Sequence, residues 1–507
     1  MNAEQGGGRG PDSGPGAGGG RDRGGRGQGP ARSRSGRGGP PREERVAPAR
    51  LVAYDVLAAV RTDEAYANLL LPVRIRRAGL SKADAALATE LTYGTLRRQG
   101  TYDRVIELAA GRPTSAIDPA VLDVLRLGAH QLLATRVPTH AAVNEQVALA
   151  RRVEPKAAGF ANAVLRTISR TSPEGWRELI AEGTRSDEER LARLESHPEW
   201  IVRAFRAALE HEGRGDELEA LLAADNASPR VNLAVLPGLG ADPDDLPGFE
   251  PDRYSPIGGV ADDAIAAAES SEGRVRVQDE GSQLAALALT RAAPVRPGER
   301  WLDLCAGPGG KTAVLAAEAA ANDAMLAANE LVPARADLVR TAIAGVPLPV
   351  EVRVGDGREV DAAALGAPDG FDRVLLDAPC TGLGALRRRP EARWRKAPSD
   401  VAELTRLQGE LFDAAVRALA PGGILAYVTC SPHTAETHGT LNAALQRWGG
   451  GIRQLDTQAV VQGVARHPLD LAGAPETAQL WPHRHGTDAM FVALVQRTTT
   501  DAPEAAR

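Results

Sequence analysis

Cysteine is scarce in this sequence: 507 residues carry three, Cys305, Cys380 and Cys430, all beyond residue 300. An odd and small number excludes a closed disulfide framework. With no segment that reads as a secretory signal, the expectation is a reducing, cytoplasmic setting. Long apolar runs are also missing. None approaches the roughly 18 residues that a spanning helix needs, which argues against a membrane role. Residues 1–45 lack Val, Leu, Ile, Phe, Tyr and Trp altogether and consist mainly of Gly, Arg, Pro and Ser. Such a segment cannot offset its ordering entropy by burial, so a disordered tail is expected there, with a shorter one at 498–507.

Net positive charge is lacking too, the formal sum being −6, which at first argues against a nucleic-acid partner. The sum hides two opposed parts. Residues 1–170 carry 26 Lys+Arg against 16 Asp+Glu, and the remainder 34 against 50. The basic front can supply a phosphate-attracting field. Its Arg-Gly repeats, such as Gly25-Arg26-Gly27 and Gly36-Arg37-Gly38, are similar to RNA-associating tails and equally to a solvated low-complexity segment.

The 43% hydrophobic content suffices for real cores, and the length suggests about three domains. From 46 to 172 the spacing of Leu51, Val52, Val56, Leu57 and Val60 is helical, and further helices are expected over Ala83–Tyr93, Val121–Leu133 and Ala141–Arg152. Residues 173–273 read as a linker with a small mixed subdomain, helical at first, with Trp200, Ile201 and Phe205 on a buried face. It then turns rich in Pro, Gly and Asp around one short strand, Val231–Val235. From 274 to 497, strand candidates Trp301–Leu304, Met325–Ala328, Val350–Val354, Val374–Leu376 and Ile424–Val428 alternate with helices. That grammar predicts an α/β Rossmann-like domain with a parallel sheet.

The first of these strands runs into Asp303-Leu304-Cys305-Ala306-Gly307-Pro308-Gly309-Gly310-Lys311-Thr312. A Walker A loop fails here because Cys305 stands where its first glycine belongs. A dinucleotide fingerprint is damaged because Thr312 takes the place of its last glycine. The remaining class is an S-adenosylmethionine loop. Its ribose would be held by Glu330 after the second strand and its adenine by Asp356 after the third. The candidate cofactor-binding set is Cys305, Ala306, Gly307, Pro308, Gly309, Gly310, Lys311, Glu330, Arg335, Asp356 and Asp377. A glycine-rich turn can also be purely structural.

The fourth strand ends in Asp377-Ala378-Pro379-Cys380 and the fifth in Thr429-Cys430-Ser431-Pro432. Carboxyl ends of parallel strands line the ligand crevice, so two cysteines, a carboxylate and a cofactor loop are expected in one cleft. A lone cysteine is usually buried filler, which is the reading for Cys305. Two at strand ends beside prolines suit methylation of a pyrimidine at C5. That carbon becomes nucleophilic only after a thiolate adds to C6, and a base must later remove the C5 proton. Asp377 is suited to bond N3 and the exocyclic amine of cytosine. Amino-group methyltransferases carry an Asp-Pro-Pro-Tyr type loop here, so Cys380 points to carbon as the acceptor. No metal enters this reading.

Asp303–Thr312, Asp377–Gly384 and Thr429-Cys430-Ser431 resemble the motifs of the NOL1/NOP2/Sun RNA cytosine-C5 methyltransferases, most closely the bacterial Sun/Fmu/RsmB type acting on 16S ribosomal RNA. Upstream, Leu91–Arg97, Arg126–Leu132, Val137–Glu145 and Gly159–Arg166 are similar to that family's NusB-like helical RNA-binding domain. The resemblance runs from about Val46 to about Val495. It implies Cys430 as nucleophile and Cys380 as the cysteine that assists product release. The residues alone leave that choice open, since DNA C5 methyltransferases use a Pro-Cys cysteine as nucleophile. Gly307, Thr381 and Ala489 replace a usual Ala, Ser and Gly, and none removes a group the chemistry needs. Lys311 is expected to position the cofactor or Asp377, or to be a plain surface lysine.

Inside the acidic half, Arg387, Arg388, Arg389, Arg393, Trp394, Arg395 and Lys396 form a basic island beside the Cys380 loop. It is read as the RNA contact at the cleft mouth, with Trp394 stacking on a base, although a charge run is often only a solvated face. The target base must be unstacked. The expected protein is thus a monomeric enzyme using S-adenosylmethionine on ribosomal RNA. The alternatives are the same chemistry on transfer RNA or another ribosomal site, and a non-catalytic RNA-binding assembly factor.

Overall fold

Helix-starting signals in the first part of the chain act as their chemistry requires. In the computed structural model, which describes residues 46–241 and 245–498, Pro48 opens helix Pro48–Thr62. The Asp118 side chain accepts from the Ala120 and Val121 amides at 2.9 and 3.2 Å to start Pro119–Ala134. Both expected tails lie outside the described residues, apart from position 498. The expected helices occupy Lys82–Arg97, Pro119–Ala134 and Thr139–Val153; Ala67–Ala78, Gln99–Ala110 and Ala158–Ile168 complete the helical domain. Val56, Leu91, Val124, Leu125, Leu149 and Leu165 form its core.

Helices Pro173–Ala181, Asp187–Leu194, Glu199–His211 and Leu218–Asp225 follow, with Ile201 and Phe205 fully buried and Trp200 half-buried. Next comes an antiparallel sheet of β1 (Leu233–Val235), β2 (Glu250–Pro251), β3 (Gly258–Val260) and β4 (Val275–Val277), in the order β2-β3-β1-β4. One of its four strands was expected.

The large sheet carries the five expected parallel strands: β5 (Arg300–Asp303), β6 (Met325–Glu330), β7 (Glu351–Val354), β8 (Phe371–Asp377) and β9 (Leu419–Thr429). They lie in the order β9-β8-β5-β6-β7, with Leu302 paired to Val374 on one side and Ala327 on the other. Three antiparallel strands extend it: β10 (Ile452–Gln454), β11 (Thr477–Leu480) and β12 (Met490–Arg497), the last pairing with β9. Helices Glu280–Arg291 and Gly310–Ala321 pack one apolar core against the sheet, and Pro398–Ala418 and Thr440–Trp448 pack the other. The order reverses on either side of β5, which opens a crevice at its carboxyl end between β6 and β8.

Candidate active site

Asp303, Glu330, Asp377 and Thr429 end β5, β6, β8 and β9 on this one edge. Residues Leu304–Gly309 turn from β5 into helix Gly310–Ala321. Gly309, at φ +103°, takes a conformation that a side chain would strain, and its Cβ would meet that of Ala342 at 2.5 Å. The buried Glu330 carboxylate accepts from the Gly307 amide at 2.9 Å and the Val332 amide at 3.0 Å, with Arg335 3.7 Å away. Beside it opens a cavity of about 230 Å³ whose walls include Leu304, Glu330, Val332, Asp356, Asp377 and Pro379. Asp303 binds the Thr312 hydroxyl through one oxygen at 2.7 Å, while its other oxygen is buried without a protein partner. Burial pushes its carboxyl up to about 7, against the Thr312 hydrogen bond.

This donor set suits S-adenosylmethionine. Glu330 is fixed by two amides and keeps acceptor capacity for ribose hydroxyls, and an orphaned carboxyl oxygen lies at the base of the loop. Asp356 lines the cavity differently from expectation: both its oxygens are held by Arg358, Nε lying 3.0 Å from each. Cys305 also borders the cavity, and burial, then the Asp303 charge, pushes its thiol far up, consistent with a filler role.

Lys311 is the second residue of the helix, with its side chain 10% exposed, and its Nζ donates to Asp377 Oδ2 at 2.8 Å. It is therefore no surface lysine. Cys380 and Cys430 face each other with sulfurs 3.5 Å apart. Gly384 closes this arrangement: its amide donates to the Cys430 carbonyl at 2.8 Å and its carbonyl accepts from Ala489 at 2.9 Å. A Cβ there would lie 2.0 Å from the Ala489 oxygen. The two sulfurs are electrostatically unlike. Cys430 is held below its usual value, first by the hydrogen bond from Cys380; burial and Asp377 oppose this, while Lys311 and Arg389 reinforce it. Cys380 is pushed well above its usual value by the same bond, by burial, and by the charges of Cys430, Glu436 and Asp377. Lys311 stays protonated, because Asp377 and neighbouring anions outweigh its burial.

The basic island is where the structure corrects the sequence. Arg387 donates to Asp488 at 2.9 Å, and Arg388 to Asp279 at 2.7 Å. Arg393, 0% exposed, bonds the carbonyls of Arg97, Ser196 and Asp225 and the Asn226 side chain. Arg395 bonds the carbonyls of Val60 and Ala65 at 2.9 and 2.7 Å. These four guanidinium groups are spent on protein, tying the Cys380 loop to the helical domain and the linker. They take protein partners because the loop's neighbours present helix-end carbonyls and buried carboxylates that need donors. Arg389 remains exposed, 5.7 Å from the Tyr66 ring centre, and Trp394 is 40% exposed. Sequence reading missed Glu436, which is buried behind both cysteines.

Residues 291–496 match the family described as 16S rRNA methyltransferase RsmB/F, and residues 47–170 match the NusB family. The Mycobacterium tuberculosis protein Rv1407 is 48% identical over 90% of this chain and 98% of its own. Ribosomal RNA small subunit methyltransferase B of Pseudomonas putida is 37% identical, covering 88% of this chain and 97% of its own. Among solved structures, PH0851 superposes with a TM-score of 0.70 at 23% identity over 89% of this chain and 99% of that one, a likeness of fold. The molecule is thus a NusB-type helical domain joined to a Rossmann-like methyltransferase. The chain belongs to the RsmB/F family of ribosomal RNA methyltransferases.

Proposed function

We propose that this protein transfers a methyl group from S-adenosylmethionine to C5 of a cytosine in ribosomal RNA, in the 16S molecule, through a covalent bond between Cys430 and C6. The observation that carries this reading is the pair of sulfurs 3.5 Å apart beside the Lys311–Asp377 pair at the mouth of the glycine loop. When bound, S-adenosylmethionine supplies an electrophilic methyl group. Glu330 holds its ribose, and the loop from Cys305 to Gly310 lets the backbone come close.

Asp377, fixed by Lys311, accepts from the exocyclic amine of the flipped cytosine and passes a proton, replaced from the Lys311 ammonium 2.8 Å away, to N3 as C6 is attacked, which damps the charge that grows there. Cys430, favoured as thiolate by the Cys380 S–H and the Lys311 cation, forms the S–C6 bond and moves an electron pair onto C5. C5 takes the methyl group, leaving S-adenosylhomocysteine. A base then removes the C5 proton, the S–C6 bond breaks, and Cys430 leaves as thiolate, with Cys380 as the thiol positioned to assist. Arg389, Trp394 and Lys396 are the island residues whose side chains form no hydrogen bond or ion pair with the described protein, which leaves them to touch RNA. The action of the relatives named small subunit methyltransferase B supports 16S RNA as substrate. Bisulfite sequencing of 16S RNA from a strain lacking the gene should show one cytosine losing protection that the wild-type gene restores. An unchanged 16S pattern would refute the assigned substrate.

A further inference from the structure

Glu436 lies in the π-helical turn Ala435–Gly439, is 0% exposed, and takes no direct part in the chemistry above. Its Oε1 accepts the Thr381 amide at 2.7 Å and the Gln408 amide nitrogen at 3.2 Å. Its Oε2 accepts the Ser431 hydroxyl at 2.6 Å and the Thr381 hydroxyl at 2.5 Å. All these donors are neutral. A buried carboxylate is tolerated without a cation only when its lone pairs are filled in this way. Thr381 directly follows Cys380, and Ser431 directly follows Cys430. One carboxylate therefore grips the residue after each reactive sulfur. Gln408 donates as well to the Pro379 carbonyl at 2.9 Å, the residue before Cys380. Tyr427, on the strand that leads to Cys430, donates to the Glu436 carbonyl at 2.6 Å. Short π-helical turns are often retained at functional sites.

We propose that Glu436 is a positioning residue that sets the separation of the Cys380 and Cys430 sulfurs and so divides their roles. The inference rests on the cytosine-C5 reading and deepens it. Geometry makes it couple the loops: if the carboxylate is removed, the Thr381 amide and two hydroxyls lose their acceptor, leaving across the two turns the 3.1 Å contact between the Thr381 and Ser431 hydroxyls and the bond from the Gly384 amide to the Cys430 carbonyl. Charge acts the same way. Glu436 opposes ionisation of Cys380, whereas Lys311 and Arg389 favour that of Cys430, with Asp377 facing both. A fixed anion on one side of the pair and cations on the other keep the thiolate on Cys430.

The test uses the full chain and Glu436→Gln, whose amide adds a donor where only acceptors fit. Turnover should fall about 100-fold with the RNA KM changed less than about threefold, the pattern of a misplaced reacting group. Iodoacetamide alkylation, followed by peptide mass spectrometry from neutral to alkaline pH, should favour Cys430 in the wild type and lose that preference in the variant. Thr381→Val removes one arm without touching the carboxylate, and should reproduce both effects; Thr381→Ser, which keeps the hydroxyl, should rescue them. These threonine variants carry the test if Glu436→Gln does not fold. Wild-type turnover and thiol preference in the variants would overturn the proposal, as would a loss of activity matched by lost folded protein with the thiol preference intact. A wild-type protein that methylates no RNA cytosine would refute the function above, while the thiol preference would still decide the role of Glu436.

Discussion

Cys430 works in a field built by individual neighbours, so single changes should separate their roles. Cys430→Ala should abolish methyl transfer while leaving S-adenosylmethionine affinity unchanged by calorimetry. Cys380→Ala should accumulate a protein–RNA adduct that survives denaturing electrophoresis, because the step that fails is release. Lys311 lowers the Cys430 thiol and anchors Asp377. Since the thiolate is the reactive form, Lys311→Met should move the rising limb of the kcat/KM profile to higher pH; an unmoved limb would contradict the electrostatic account. At this scale the sequence was most legible where chemistry follows a strand directly, as at Glu330, Asp377, Cys380 and Cys430. Asp356 lines the cavity, but its partner Arg358, two residues on, is fixed only by the turn that brings them together. Glu436 left no such trace, because its donors come from three separate segments.

Among elements, the loop from Cys380 to Leu386 and the turn after β9 behave as one unit stitched through Gly384. Gly384→Ala pushes a methyl group into the Ala489 carbonyl, and should destabilise the protein by about 1–3 kcal/mol, measurable as a lower midpoint in urea. The parallel strands could be read from sequence because most are apolar runs bounded by turns and followed by a helix; β7 instead alternates Glu351-Val352-Arg353-Val354 and leads to β8 through only the short turn Gly357–Glu359. Of the linker sheet only β1 could, as its other strands are two or three residues long and leave no alternating pattern. β12 was hidden for a different reason: Met490–Val495 is buried on both faces, and periodicity alone does not distinguish such a run from a helix.

For the whole molecule, the basic island decides how the parts are held. Composition identified the charge and its place beside the catalytic loop, but burial decides the use of each arginine, and burial is a tertiary property. Leu383 and Leu386 pack with Ile201, Phe205 and Leu222 of the linker helices, so this loop is a seam between domains. Arg393→Ala should strand three buried carbonyls and cost about 3 kcal/mol in thermal or chemical denaturation. Arg389→Ala should leave stability unchanged and reduce the salt dependence of RNA binding by about one unit of logarithmic slope. The reverse pattern would restore the island as an RNA clamp.

The central claim, methylation of cytosine carbon by a Cys430-dependent route, is tested most directly by nucleoside analysis. Ribosomal RNA lacking the modification is incubated with the protein and methyl-labelled S-adenosylmethionine, then digested and resolved by mass spectrometry. The label should appear as 5-methylcytidine with the wild type and be absent with Cys430→Ala. Label on a ring or exocyclic nitrogen, or undiminished 5-methylcytidine from the variant, would contradict it.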